Sequence, residues 1–311
     1  MSLQKTRNKS FFCEIRKNWL YYVMFLPAGL YFFIFAYVPM PGIVVAFKNY
    51  SYRGGIFGSE WNGLENFRYF YESGKLLLVT WNTLKYNLLF LVTSTILSVA
   101  AAILIAEMQG IWFKKTSQTL MFLPHFISWV IVAVFFYNIF NFEYGSLNTF
   151  LKTLGIPPVS IYSEPGVWIF ILPFLYIWKT IGFSSVLYLS AIMGIDKESY
   201  ETAMIDGANV FRRIWHITLP MLSSTIITLT LLGISRIMRG QFDMFYQLIG
   251  NNSKLMDATD IIDTLVFRSL ITTNDFGMAS SAGFYQSVLC FAIIVMVNQI
   301  TKKISKENAL F

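Results

Sequence analysis

Long apolar stretches separated by short polar ones dominate this chain. A helix that crosses a bilayer needs about 20 mostly apolar residues. Six runs meet that length, near 19–47, 82–106, 119–140, 167–193, 217–233 and 283–300. None alternates polar and apolar residues as a barrel strand does. The pattern predicts an all-α integral membrane protein with six transmembrane helices. The first run holds Pro27, Pro39 and Pro41, so its outer end should kink or unwind. Pro173 lies inside the fourth run. No internal repeat is evident and no Ser/Gly or Pro-rich linker divides the chain. One membrane domain is therefore expected over 19–301, between tails at 1–18 and 302–311. Two sizeable loops, 48–81 and 242–282, lie within it.

Composition sharpens this reading. Of 311 residues, 55% are hydrophobic and 13% charged, against about 25% charged in soluble domains. That excludes an ordinary soluble enzyme and a disordered chain. Cys13 and Cys290 are the only cysteines, so a disulfide scaffold is excluded too.

Charge placement gives orientation, because loops left in the cytoplasm are rich in Lys and Arg. Thirteen such residues fall on one side of a six-span chain: Lys5, Arg7, Lys9, Arg16, Lys17, Lys114, Lys115, Lys197, Arg212, Arg213, Lys302, Lys303 and Lys306. The opposite side carries nine, over longer loops that also hold ten acids. Both termini are expected in the cytoplasm. The net charge of +7 then reflects topology and not a nucleic-acid footprint. The first run is too long for the core of a cleavable signal and reads as a signal anchor.

The connection from Asp196 to Pro220 is the most informative stretch. Asp196 is placed to cap a helix, with Glu198 at its positive end. Gly207 should stop that helix, and a second short helix from Asn209 to Trp215 should lead into the fifth span. Ala203, Gly207 and Ala208 are small enough for a partner's backbone to approach. Glu201-Thr-Ala203, three residues, Gly207, nine residues and Ile217-x-Leu219-Pro220 resemble the EAA loop of bacterial ABC importer permeases. Thr202, where Ala is usual, is the one departure.

Further segments narrow the resemblance: Phe122-Leu-Pro-His-Phe-Ile-Ser-Trp-Val130, Ile177-Trp-Lys-Thr-Ile-Gly182 and Asp260-Ile-Ile-Asp-Thr-Leu-Val-Phe-Arg268. Leu26-Pro-Ala-Gly29, Pro39-Met-Pro-Gly42 and Ala46-Phe-Lys-Asn-Tyr50 fit as well. From about Leu20 to Lys303 the chain resembles carbohydrate-uptake permeases of the maltose-permease type. The LplB-type subgroup for complex oligosaccharides, common in Gram-positive bacteria, is the nearest.

The resemblance implies a type I ABC importer permease fold in a bacterial plasma membrane. It implies a second, homologous permease as partner, so a heterodimer, and two copies of a cytoplasmic ATPase that carry ATP and Mg. It also implies an extracellular sugar-binding lipoprotein that delivers an oligosaccharide. This chain needs no cofactor. It holds no Gly-x-x-x-x-Gly-Lys-Ser/Thr phosphate loop. Glu201, Ala203, Asp206, Gly207, Ala208, Ile217, Leu219 and Pro220 would couple to the ATPase, with Glu201 pairing a basic group there.

The resemblance also places the sugar path near Lys179, Thr180 and Phe183, and near Arg236, Arg239 and Asp243. A charged residue inside a span is costly and a functional suspect. Lys179 reads equally as a snorkelling or acid-paired lysine. Arg236 and Arg239 would bind an acidic sugar, or would salt-bridge Asp243 or acids of the partner. Asn87 and Asn138 read as helix–helix hydrogen bonds, and Asp257, Asp260, Asp263 and Asp275 as a face for the binding protein or a cap over the pore. His125 and His216 lack companions at metal-ligand spacing, so no metal site is expected. A secondary transporter would work alone and usually shows internal repeats. A membrane enzyme would show clustered carboxylates or a metal site. Neither pattern occurs here.

Overall fold

The computed structural model of the chain describes residues 17–304. Most of the two expected tails, with Cys13 and Lys306, lies outside the described residues. Helix α1 (Trp19–Phe32) opens the first apolar run, which continues as a π-turn over Phe33–Tyr37 and a 3-10 stretch over Met40–Phe47. Pro39 and Pro41 lack the N–H that an α-helix requires there, so the winding changes around them. In the first long loop, β1 (Lys48–Asn49) pairs antiparallel with β2 (Glu60–Trp61), with Lys48 opposite Trp61. Helix α2 (Gly55–Gly58) lies between the strands. Helix α3 (Glu65–Glu72) turns at Gly74, φ +69°, into α4 (Lys75–Glu107), the second span.

The third run departs from expectation. In place of one helix over 119–140 there are two, α5 (Ile111–Phe122) and α6 (Trp129–Phe140), bent by 91°. Pro124 in the 3-10 link Leu123–Phe126 cannot continue an α-helical ladder. Ser128 restarts the helix, its hydroxyl accepting the Ile131 N–H at 3.4 Å. The apolar pattern runs unbroken through this point, and so hides the break.

Helix α7 (Ser146–Thr153) leads to α8 (Trp168–Met193), the fourth span, which keeps Pro173 inside it. Helices α9 (Lys197–Ile205) and α10 (Val210–Arg213) form the connection, and a π-turn over Ile214–Thr218 joins α10 to α11 (Leu219–Ile234), the fifth span. The second long loop folds as α12 (Phe242–Ile249), α13 (Ser253–Thr259) and α14 (Ile262–Ile271). The sixth span is α15 (Phe276–Ile304). Five helical stretches are each long and apolar enough to cross a bilayer, and α5 with α6 makes six if counted as one broken span.

Three apolar clusters hold the bundle. Tyr86, Phe90, Phe136, Trp168 and Phe245 join α4, α6, α8 and α12. Phe70, Val79, Met238, Leu265 and Ala282 join α3, α4, α14 and α15. Val99, Ala102, Tyr188, Leu189 and Leu222 join α4, α8 and α11 at the end that carries the 196–220 loop. Gly182 lets α8 lie directly on the backbone of Met121, where any Cβ would collide.

Polar groups fix the second long loop to α4. The Asn82 amide donates to the carbonyls of Asp257 (3.0 Å) and Asp260 (3.1 Å), and the Tyr86 hydroxyl donates to that of Ala258 (3.1 Å). Within the loop, Asp260 is 9% exposed and paired with Arg268 at 2.6 Å. Asp275 accepts the Met278 N–H at 2.8 Å to start α15, and Asp263 bonds Gly240 and Gln286. Three of the four loop acids read as a docking face are thus engaged inside the chain; Asp257 stays exposed.

Candidate functional site

The 196–220 connection is built by local rules. Asp196 accepts the Glu198 N–H at 3.1 Å and starts α9. At the other end Gly207 takes φ +73°, open to glycine and strained for other residues. The Gly207 N–H bonds the Met204 carbonyl (3.1 Å) and the Ala208 N–H bonds the Ala203 carbonyl (2.9 Å). These are the two bonds of a Schellman stop. The spacing of Ala203, Gly207 and Ala208 is therefore a helix-ending device as well as a small-residue surface. Asn209 then caps α10 by accepting the Arg212 N–H at 2.9 Å.

The second short helix does not end at Trp215, as the sequence implied. The π-turn Ile214–Thr218 carries it without interruption into α11. Pro220 lacks an N–H, and a widened turn just before it accommodates the missing ladder bond. Ile217 and Leu219 are half-buried, and Leu219 packs on the cluster between α4, α8 and α11. Two contacts not anticipated from sequence tie the loop to the bundle. Arg213 pairs with Glu107 at the end of α4 (3.5 Å), and the Tyr200 and Thr218 hydroxyls meet at 3.0 Å. Glu201 and Asp206 are exposed. So are Ile205 at 86% and Phe211 at 83%, two large apolar side chains flanking the Gly207 turn.

Lys179, Thr180 and Phe183 gather at the break in the third span. The Lys179 ammonium donates to the carbonyls of Pro124, His125 and Ile127 and lies 5.4 Å from the Trp129 ring centre. Backbone carbonyls freed inside a membrane need a donor, and Lys179 supplies it. This is neither the snorkelling nor the acid pairing weighed from sequence. The Thr180 hydroxyl donates to the Tyr176 carbonyl at 2.7 Å, within its own helix. Phe183 stacks on His125 at 4.6 Å and is 44% exposed.

Arg236 and Arg239 lie in the non-helical stretch that follows the fifth span. Beyond Ile234 the chain leaves the helix until Phe242. This segment is held from several sides. Asn87 donates to the carbonyls of Ile237 (2.8 Å) and Arg239 (3.2 Å), and Gln286 to that of Met238 (2.6 Å). The Asp263 carboxylate accepts the Gly240 N–H at 2.7 Å. Burial pushes the Asp263 carboxyl above its ordinary value, while the bonds from Gly240 and Gln286 and the nearby Arg239 charge oppose that shift. Neither arginine forms an ion pair with Asp243 or with any acid among the described residues. Asn87 thus binds an unwound backbone and not a neighbouring helix, and Asn138 bonds only the Val134 carbonyl of its own helix.

A capped loop thus runs into the fifth span, and the third span is broken beside a lysine. Residues 94–306 match the family described as binding-protein-dependent transport system inner membrane component. The chain belongs to this family. Within it, this carbohydrate ABC permease is 35% identical to protein LplB of Bacillus subtilis (strain 168), over 94% of this chain and 91% of that one. It is 31% identical to the polygalacturonan/rhamnogalacturonan transport system permease protein YteP of the same organism, over 98% and 94%. A crystal structure of a bacterial alginate ABC transporter, in complex with an alginate pentasaccharide-bound periplasmic protein, contains a similar chain. It is 30% identical, with a TM-score of 0.84, over 96% of this permease and 99% of that chain. The permease has the type I fold expected of it, with the third span broken.

Proposed function

We propose that this permease is one half of the pore of an ATP-driven oligosaccharide importer, and that its 196–220 loop receives the thrust of a separate ATPase. The observation that carries this is the loop itself. A capped helix that ends at a Schellman stop presents Ile205, and a second helix, continuous with the fifth span, presents Phe211. A load applied on α10 reaches α11 with no interruption in the helix, and reaches α4 through Arg213 and Glu107. ATP, with Mg, would close two ATPase copies and draw this loop and that of a second, homologous permease together, opening the cavity on the far side. Hydrolysis reverses the motion. The positive side, with both termini, lies in the cytoplasm of a bacterial plasma membrane, where the ATPase is.

An extracellular sugar-binding lipoprotein would deliver the substrate. The relatives support this reading. One is named for polygalacturonan and rhamnogalacturonan transport, and another chain sits with a pentasaccharide-bound periplasmic protein. The path would run by the third-span break, with Phe183 and Thr180, and by the stretch after the fifth span, with Arg236, Arg239 and Asp243.

Ile205→Asp tests the coupling role, because a side chain this exposed can change without disturbing the fold. The variant should still pair with the second permease. Its ATPase should fall away on purification, or hydrolysis should drop to the level seen without binding protein. A chain that purifies alone and moves a solute without ATP sinks the proposal and leaves a secondary transporter.

A further inference from the structure

The corner between the second and third spans carries a surface that the coupling loop does not use. Helix α4 ends at Glu107, and the chain turns at Gly110, φ +86°, into α5. Ile111, Trp112 and Phe113 follow at once, all exposed, Trp112 at 86%. They serve no core of this chain, since α5 holds no buried residue. Lys114, half-buried, and Lys115, exposed, come next. Neither forms an ion pair among the described residues. The only acid in the sequence between 107 and 118 is Glu107, and Arg213 already holds it at 3.5 Å.

Position says what covers this surface. It falls between the end of one apolar run at 106 and the start of the next at 119, so at a membrane face. The Arg213–Glu107 pair puts it on the same side as the 196–220 loop. Tryptophan favours the headgroup level of a bilayer, and apolar side chains beside lysines enter the acyl boundary while the ammonium groups stay among the headgroups. Protein–protein interfaces, by contrast, are depleted of lysine at their cores. An unpaired Lys-Lys next to three exposed apolar side chains therefore fits a lipid with a negative headgroup better than it fits a protein.

The same ion pair gives such a lipid a consequence. Arg213 lies on α10, which runs without interruption into α11. A fixed corner holds the end of α4 still while α10 moves against it. A loose corner lets α4 follow α10, and the thrust is lost.

We propose that residues 111–115 bind an anionic phospholipid of the adjoining leaflet, with Trp112 among the headgroups and Lys114 and Lys115 on the negative charge. The bound lipid braces α4, so that force at the 196–220 loop turns α11. The proposal rests on the coupling reading above and adds a lipid requirement to it.

The test uses the whole transporter, with its partner permease, ATPase and binding protein, in nanodiscs of phosphatidylcholine containing increasing shares of phosphatidylglycerol. Two quantities are read: ATP hydrolysis stimulated by the binding protein, and phosphatidylglycerol kept by the complex after detergent extraction, counted by native mass spectrometry. In the wild type, hydrolysis should rise with phosphatidylglycerol and the lipid should be retained. Lys114→Gln with Lys115→Gln should reduce that rise about fivefold or more, the factor expected for even one lysine near an anionic surface. The double Gln variant should also lose the retained lipid. The double Arg variant should keep both, and Trp112→Ala should weaken retention with the charges in place.

Three results would overturn the proposal. Wild-type hydrolysis could be the same at every lipid composition. The double Gln variant could respond to phosphatidylglycerol as the wild type does. It could lose the ATPase in every lipid, which would make the corner a protein contact. Hydrolysis that ignores the binding protein in all lipids would instead refute the coupling reading, and the lipid site would then stand or fall on the retained phosphatidylglycerol.

Discussion

Lys179 shows how a single side chain can stabilise an irregular backbone inside a membrane. Its ammonium meets three carbonyls that the third-span break sets free. Lys179→Met removes that donor, and a buried carbonyl left unsatisfied costs about 1–3 kcal/mol. The assembled transporter should melt at a lower temperature in detergent, and Lys179→Arg should recover most of the loss. If Lys179→Met instead melts like the wild type and only the KM for sugar rises, the side chain reads substrate. The sequence showed that a lysine at this depth is unusual, but it could not show the partner. Carbonyl acceptors belong to every residue and leave no mark in a side-chain pattern. The Asp196 cap and the Gly207 stop were legible for the opposite reason. Each acts on backbone within five positions of itself, so its identity and spacing carry the whole signal.

Elements were legible where apolar length decided them and hidden where a tertiary contact did. The second, fourth and sixth spans match their runs to within about two turns. The fifth is longer than its run, because the π-turn fuses α10 to it. Pro124 was visible, yet Pro173 is tolerated inside α8 and Pro124 breaks its helix. Proline alone does not separate the two cases; at Pro124 the Lys179 ammonium meets the carbonyls of the break. The second long loop is likewise held by a buried ion pair that no periodicity reveals. Removing one partner of such a pair leaves an uncompensated charge, at about 3–5 kcal/mol. Arg268→Ala should therefore expose the α13–α14 region to proteolysis at lower temperature than the wild type. Asp260→Asn with Arg268→Met, which removes both charges, should restore much of the resistance. Equal sensitivity of all three proteins would show that the pair contributes nothing.

At the scale of the whole molecule, charge placement and the 20-residue EAA spacing made the function class readable, because both are rules about the chain as a unit. The orientation that they imply has a direct check. A cysteine placed at Lys197, exposed on α9, should resist an impermeant thiol reagent in intact cells, with Cys13 and Cys290 replaced by Ser. One placed at Trp61, exposed in the first long loop, should react. The reverse pattern would invert the topology and rule out a cytoplasmic ATPase at the loop. The lining proposed for a sugar path was the least legible part, since the third-span break and the non-helical stretch after the fifth span place its residues, and apolar length marks neither.

The broken third span also bears on leakage. An unbroken rod that tilts moves its two ends in opposite directions, so a wall made only of rods ties the movement of one mouth to that of the other. Here Met121 of α5 packs with the cluster beside the 196–220 loop, while Phe136 of α6 belongs to the cluster shared with α12. A right-angled cut between them divides the third span between the two clusters, so in the proposed import cycle one mouth could stay closed to ions while the other moves.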